Sequence, residues 1–231
     1  MKLQNTYEII KDKEALRHFV DWLPDHSNEE CYFYALFCRS KYSQDVKKSG
    51  GGNLLFRGIS DKKSLIRKFQ QLECPIGSYE KAGQPIPQEA LALYVNPNPR
   101  NLFSATLNSL CKLAENIKSG HKTASPHKEA LSCVQTSAGD KTFIDFDIDT
   151  KDPDVIKKAI TILGKGLGNI IETRGGYHVL VRRDQISQIE EKMWHKKMSE
   201  LADVTGDCLV PVVGSYHGGF TPRFVNPEDF S

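Results

Sequence analysis

The feature that most constrains this chain is the run from 141 to 149, in which acidic residues alternate with apolar ones. The apolar members suit a β-strand and are Phe143, Ile144, Phe146 and Ile148. Because side chains alternate between the two faces of a strand, Asp145, Asp147 and Asp149 would share one face. Three carboxylates on one face repel one another, so that face either is solvated or holds a cation. Clustered carboxylate oxygens favour the hard divalent cations Mg²⁺ and Mn²⁺.

Length and composition exclude several classes of protein. The chain has 231 residues, 39% of them hydrophobic and 26% charged, which is typical of a globular protein with one large domain or two small ones. Its formal net charge of +2 gives no global basic field, so only local patches could bind nucleic acid. No apolar run approaches the roughly 20 residues of a membrane span, and the N-terminus has no apolar signal core, so we expect a cytoplasmic protein without a membrane partner. The six cysteines form no C-x-x-C pair, which argues against a structural zinc site.

Hydrophobic periodicity predicts a mixed α/β fold of the α+β type, as one domain over 1–231. Residues 1–118 form an N-terminal αβ part, 119–139 a connecting segment with a short helix near 128–133, and 140–231 a second part that carries the acidic strand. The predicted helices span 7–23, 61–72, 101–117, 153–163 and 185–202. The other predicted strands span 31–37, 54–56, 91–95, 169–172, 177–181, 207–213 and 224–225.

A turn between two predicted strands of the second part combines small, polar and charged residues. Gly175 and Gly176 let the backbone approach a ligand closely and expose amide donors. Thr173 adds a hydroxyl, Arg174 a fixed positive charge, and His178 a further donor on the following strand. A lone histidine on a strand usually has a structural role. Together with the hydroxyl, the arginine and the two glycines, however, His178 is suited to binding an anion such as a triphosphate.

A third carboxylate precedes the predicted strand at 207–213. Asp207 is either a turn residue or, beside Asp145 and Asp147, the residue that completes a metal site. The strand ends in a polar, glycine-rich turn at 214–219 that contains Ser215.

Two groups of basic residues are candidates for binding nucleic acid. The first surrounds the predicted helix at 61–72 and consists of Arg57, Lys62, Lys63, Arg67 and Lys68. A charged helix face is often only solvated, and this alternative stays open. The second is Arg100, which follows two prolines that hold the backbone extended after the strand at 91–95. This loop is suited to presenting a guanidinium to a phosphate, although an ordinary strand-to-helix turn explains it as well.

These motifs, in this order, resemble the archaeo-eukaryotic primase superfamily, including plasmid and phage primase-polymerases. The run 143–147 resembles its first motif, 173–178 its second, and Asp207 its third. The turn at 213–217 is similar to a Pro-Gly-Thr turn of that family, with Val213 in the proline position, and Thr173 stands where serine is commoner. The resemblance covers residues 140 to 225.

The resemblance implies a primase-like fold, in which residues 140–231 form a mixed or antiparallel sheet like that of RNA-recognition domains. It implies a DNA primase or primase-polymerase that transfers nucleotides from NTP or dNTP on a single-stranded DNA template, with a replicative helicase or other replication protein as partner. Two metal ions, Mg²⁺ or Mn²⁺, would be held by Asp145, Asp147 and Asp207. His178, Thr173, Arg174, Gly175, Gly176 and Ser215 would contact the nucleotide. The alternatives are a non-catalytic nucleic-acid-binding replication protein and a carboxylate-metal nuclease, which has no need of the triphosphate set.

Overall fold

The computed structural model describes residues 5–43, 53–81, 83–120, 125–204 and 209–230. The helices are α1 (Lys13–Trp22), α2 (Leu65–Gln70), α3 (Leu102–Lys118), α4 (Pro126–Thr136), α5 (Pro153–Leu163) and α6 (Trp194–Leu201). The strands of the first half are β1 (Glu30–Cys38), β2 (Leu54–Ser60), β3 (Glu80–Lys81), β4 (Gln84–Pro85), β5 (Leu91–Val95) and β6 (Arg100–Asn101). Those of the second half are β7 (Phe143–Ile148), β8 (Gly168–Glu172), β9 (Tyr177–Arg182), β10 (Asp203–Val204), β11 (Val210–Pro211) and β12 (Arg223–Val225). The chain is therefore a mixed α/β protein of the α+β type, as the periodicity predicted.

The first sheet has the order β11-β5-β1-β2, with β6 paired to one end of β1. Strand β1 is buried on both faces because each face packs against helices or strands. Its even-numbered residues, such as Tyr34 and Leu36, lie in a core shared with α1 and α2. Its odd-numbered residues, such as Phe33, lie in a second core with Ala105 of α3 and Cys133 of α4. Burial on both faces explains the continuous apolar run at 31–37.

The second sheet is antiparallel throughout, with the order β10-β7-β9-β8-β12. Along the chain, strands β7 to β10 alternate with α5 and α6 in the order β-α-β-β-α-β. This is the split βαβ arrangement, in which strand β9 is inserted between the parallel strands β7 and β8. Phe146 and Ile148 of β7 face α5 and α6. Phe143 faces the other way, into the core shared with the first sheet, where it stacks on Trp22 of α1. Since side chains alternate, Asp145 and Asp147 share the face of Phe143, between the two sheets.

The two halves of the chain are joined through β11. Val210 and Pro211 pair with Val95 and Tyr94 of β5, so the chain leaves the second sheet after β10 and adds a strand to the first. The segment 119–139, expected to be connecting chain with a short helix near 128–133, contains the longer, 11-residue helix α4. Cys133 and Val134 of this helix pack against the outer face of β1, and this burial fixes a helix in a polar stretch.

Three predicted helices are shorter in the structure than the sequence indicated. The helix predicted at 7–23 begins at Lys13, where Asp12 caps it by accepting from the amides of Glu14 and Ala15. The preceding residues are extended and donate backbone hydrogen bonds to Cys74 and Gly214. The helix predicted at 185–202 is divided into a 3₁₀ segment, Arg183–Gln188, and α6. Similarly, the helix predicted at 61–72 is a 3₁₀ turn, Lys62–Ser64, capped by Asp61 and followed by α2.

None of the helices in the described part of the chain is long and apolar enough to cross a membrane.

Candidate functional site

A cavity of about 400 Å³ lies between the two sheets. Its acidic lining residues are Asp147 and Asp149, from the end of β7. Its basic lining residues are Arg39, Lys41 and Arg100, from the first half of the chain. The remaining lining residues are Phe37, Tyr42, Tyr94, Asn96, Gln135, Thr136, Thr173, Gly175, His178, Leu209, Pro211 and His217. The cavity thus has an acidic wall from the second sheet, a basic wall from the first, and aromatic side chains between them.

The acidic wall is organised around His178. This residue of β9 is the Cα partner of Asp147 in the antiparallel ladder with β7. Its Nδ1 lies 3.1 Å from each carboxylate oxygen of Asp145, and its Nε2 lies 3.6 Å from Oδ1 of Asp147. Because a carboxylate only accepts, Nδ1 carries a hydrogen and donates it to Asp145. The two aspartates therefore have different surroundings: Asp145 is 2% exposed behind the histidine, and Asp147 is half-buried at the cavity.

Burial and neighbouring charges shift the pKa values of both His178 and Asp147. Burial lowers the pKa of His178, but the hydrogen bond and charge of Asp145, with the charges of Asp147 and Asp149, outweigh burial and raise it above its ordinary value. Burial raises the pKa of Asp147, and the neighbouring carboxylates Asp149 and Asp145 raise it further, against the lowering effect of His178 and Lys41. Asp147 is thus a crowded carboxylate for which a cation would be a favourable neighbour.

In the turn at 173–176, the hydroxyl and amide donors form hydrogen bonds within the turn itself. The Thr173 hydroxyl donates to the carbonyl of Gly176 and accepts from the amides of Gly175 and Gly176, at 3.3 and 3.1 Å. A Cβ on Gly176 would lie 1.8 Å from the carbonyl oxygen of Ile148, so glycine is required there by close packing. Thr173 and Gly175 line the cavity, but the amides expected to face a phosphate are engaged with Thr173.

Arg174 lies at the edge of the cavity, outside its lining. One of its Nη atoms donates to the carbonyl of Gly218 at 2.7 Å, and its guanidinium lies 4.6 Å from the centre of the Tyr42 ring. Gly218 has φ +58°, and a Cβ there would lie 2.6 Å from that ring. Arg174 therefore fixes the position of Tyr42, a lining residue, against the second-half turn.

The turn after β11 supplies a buried histidine to the site. His217 lies against the cavity with its Nε2 2.7 Å from the carbonyl oxygen of Leu93, and since a carbonyl only accepts, Nε2 carries the hydrogen. Burial lowers the pKa of His217 to about 3, so the ring is neutral. Ser215 is fully buried outside the lining, and its hydroxyl donates to Val212. Asp207 lies outside the described residues.

The sequence prediction identified Arg100 of the basic wall but missed Arg39 and Lys41. Arg39 and Lys41 follow directly after β1, and the ring of Tyr94 lies 5.4 Å from the Arg39 guanidinium. The Arg39 Nε is buried and has no hydrogen-bond partner among the described residues. An unsatisfied buried donor is costly and is explained if an anion or water accepts from it. The sequence did place two basic residues and Tyr42 directly after a strongly apolar strand, and this pattern could have indicated a binding site.

The fold places one of the predicted nucleic-acid-binding residues at the cavity and the others away from it. Arg100 is buried at the cavity, where one Nη donates to the carbonyl of Ser137. The residues outside the cavity lining are Arg57, Lys62, Lys63, Arg67 and Lys68. Arg57 donates to the Ser132 hydroxyl of α4. Lys62 pairs with Asp25 and donates to two carbonyls at the end of α1, so it stabilises that helix end. Lys63 and Arg67 are exposed, as a solvated helix face would be.

Among the residues that the structure describes, no group of three or more histidine, cysteine or acidic side chains is arranged to hold a metal ion. Asp147 and Asp149 offer carboxylates to the cavity, and Asp145 reaches it only through His178.

No protein-family model, curated protein or solved structure matches this chain. The geometry of the cavity and the motif resemblance are therefore the two grounds for proposing a function.

Proposed function

We propose that this protein is a metal-dependent nucleotidyltransferase of the primase-polymerase type, acting on nucleoside triphosphates and a single-stranded DNA template. The observation that carries the proposal is the cavity between the sheets, where an acidic wall with His178 faces a basic wall formed by Arg39, Lys41 and Arg100. Nucleotidyl transfer needs both, because the triphosphate is an anion and its reaction depends on divalent cations. In this proposal the split βαβ sheet is the catalytic part of a primase-like fold.

Several properties of the cavity suit a nucleotide. Its volume of about 400 Å³ lies in the ordinary range for small-molecule sites. Phe37, Tyr42 and Tyr94 provide aromatic surface on which a base can stack. The buried Nε of Arg39 is a donor without an acceptor among the described residues, and a phosphate oxygen would supply one.

The donor set fits a divalent cation on the acidic wall. Asp147 and Asp149 would hold it, because both line the cavity and the charge of Asp149 raises the pKa of Asp147. The other proposed ligands are Asp145, whose carboxylate also holds His178, and Asp207. When bound, the metal would lower the pKa of the attacking 3′-hydroxyl and stabilise charge on the departing pyrophosphate.

The side chains of the cavity would then have separate roles. Asp145 orients His178 and favours its charged form, which can donate from Nε2 to a phosphate oxygen. Arg39 and Lys41 would bind the triphosphate from the opposite wall, and Arg174 would act indirectly by holding Tyr42. The fully buried Ser215 would support the turn at the cavity instead of contacting the nucleotide.

One observation favours a second candidate, a nucleic-acid-binding protein without catalysis. Within the described ranges no group of three metal-ligating side chains is arranged around a metal position. A binding module would retain affinity for single strands but would not incorporate nucleotides. Incubation with a single-stranded template, Mn²⁺ or Mg²⁺ and labelled triphosphates, with and without primer, distinguishes the two. Extension products support the proposal, and single-strand binding without any product supports the second candidate.

A further inference from the structure

Helix α3 carries an apolar stripe on its exposed side. Phe103, Leu107, Leu110 and Ile117 are 65%, 49%, 59% and 81% exposed, and Ala114 between them is exposed as well. The opposite side of the helix already packs on the protein, since Ala105 and Ser109 are buried. The helix is therefore apolar on both sides. A contiguous exposed apolar patch of this kind marks an interaction surface.

The spacing of the stripe is that of a coiled-coil seam. Successive members are separated by four, three, four and three residues, the alternation of a heptad repeat with apolar a and d positions. In this register the positions that flank the seam are Ser104, Thr106, Cys111, Leu113 and Lys118, and only Lys118, exposed at the end of the helix, is charged. The charged residues Lys112 and Glu115 occupy positions that point away from it. A second helix can therefore approach without burying an unpaired charge.

The seam is complementary to itself when the helix direction is reversed. A two-fold axis near Leu110 places Phe103 opposite Ile117 of a second copy, and Leu107 opposite Ala114. Large residues then face smaller ones, while Leu110 packs on its own symmetry mate. Such a contact is isologous and closes into a dimer.

We propose that α3 is the dimer interface of this protein, pairing antiparallel with α3 of a second copy. The helix has 17 residues and is about 26 Å long. Two such helices would bury on the order of 1,000 Å² in total, near the lower limit for a specific interface. The dimer should therefore form in the micromolar range. Of the stretches between the described ranges, 44–52, 121–124 and 205–208 are mainly polar and do not suit this seam.

Sedimentation equilibrium of the full chain from about 1 to 100 µM tests the proposal. We expect a monomer–dimer equilibrium in the wild type. Leu110→Glu places two carboxylates at the two-fold axis and should weaken dimerisation roughly thirtyfold or more. Asn108→Glu is the matched control, because it adds the same charge to an exposed position of the same helix off the seam. It should leave the dissociation constant unchanged.

A proximity measurement makes the result specific for α3. Cys111 is exposed beside Leu110 and would face Cys111 of the second copy, whereas Cys31, Cys38 and Cys133 are buried. A short bis-maleimide should link the wild-type dimer covalently, and Cys111→Ser should abolish the link. Circular dichroism of each variant controls for folding. A wild type that stays monomeric at about 100 µM, or a dimer unaffected by Leu110→Glu, would overturn the proposal.

Discussion

Asp147 on β7 and His178 on β9 are paired across the central strands of the second sheet, and Oδ1 of Asp147 lies 3.6 Å from Nε2 of the histidine. The other ring nitrogen donates to Asp145, so His178 stands between a buried carboxylate and one that lines the cavity. This arrangement separates the roles of the two aspartates. Asp145 holds the histidine, and Asp147 presents both its own charge and the histidine to a ligand.

Replacing Asp145 should change the titration of His178. In the metal-free protein, Asp145→Asn removes the carboxylate whose hydrogen bond and charge raise the pKa of His178, while the burial that lowers this pKa remains. The pKa of His178 should therefore fall, as measured by the pH dependence of its ring resonances in NMR spectra. Asp184→Asn changes an exposed aspartate paired with Arg182 and serves as the control. An unchanged pKa in Asp145→Asn would show that this contact does not govern the histidine.

The raised pKa of His178 also predicts a pH-dependent stability of opposite sign to that of ordinary buried histidines. Because the folded-state pKa lies above the unfolded value, the folded protein binds the proton more tightly. This contribution is fully present below about pH 6.5 and is lost as the pH rises through the folded pKa. In metal-free protein, His178→Gln should remove it. Denaturant unfolding between pH 6 and 9 measures the difference, and parallel wild-type and variant profiles would contradict it.

His217 should destabilise the fold in acid. Its pKa is lowered to about 3 in the folded state, so the unfolded state gains a proton first as the pH falls. Between pH 7.5 and 5.0 this residue alone should cost about 2 kcal/mol of unfolding free energy. His217→Gln keeps a donor for the Leu93 carbonyl but does not titrate. Urea unfolding at the two pH values should show a smaller acid loss in the variant than in the wild type.

Arg39 should contribute directly to triphosphate binding. Arg39→Gln removes a buried donor and a fixed charge from the basic wall, and a charge-assisted hydrogen bond is worth about 1.5–3 kcal/mol. The dissociation constant for a nucleoside triphosphate should therefore rise roughly 10- to 150-fold, as measured by titration calorimetry. Lys63→Gln alters an exposed cation outside the cavity lining and should have no effect. An equal loss of triphosphate affinity in both variants would mean that binding depends on the net charge of the protein and not on a contact with Arg39.

The basic face near α2 offers a separate test of template binding. Lys62 should be left intact, because it stabilises the end of α1 and its replacement would lower stability. Suppose that Lys63, Arg67 and Lys68 contact phosphates. Replacing all three by alanine should then reduce the slope of log affinity for single strands against log salt concentration by up to about 2. Triphosphate affinity should not change. An unaltered salt slope would identify this surface as a solvated helix face.

Local patterns in the sequence predicted the acidic wall of the site and Arg100 of the basic wall, but not Arg39 and Lys41. The alternation at 143–148 correctly predicted a strand with Asp145 and Asp147 on one face, and the glycine turn at 173–176 correctly predicted the return of the next strand. The alternation of apolar and acidic residues predicts which face a side chain lies on but not how deeply it is buried. It therefore did not distinguish the buried Asp145 from the half-buried Asp147. Arg39 and Lys41 reach the cavity only because two sheets distant in sequence face each other, and no local pattern encodes that packing.

The secondary-structure differences have the same physical origin. Residues 7–12 have apolar spacing compatible with a helix, but backbone pairing to Cys74 and Gly214 holds them extended. The short helix predicted near 128–133 extends over 126–136, because burial of Cys133 and Val134 against β1 stabilises α4. In both cases tertiary contacts change the helix bounds that local preference predicts.

Template-directed nucleotide incorporation by Asp147→Asn, beside the wild type, tests the proposed function most directly. The account predicts that the wild type extends on a single-stranded template with Mn²⁺ or Mg²⁺. It predicts that Asp147→Asn loses at least about a thousandfold in rate while its thermal stability is retained, because the change relieves a crowded carboxylate. Asp184→Asn should match the wild type. Incorporation that survives in Asp147→Asn, or a wild type that binds single strands and incorporates nothing, would contradict the account.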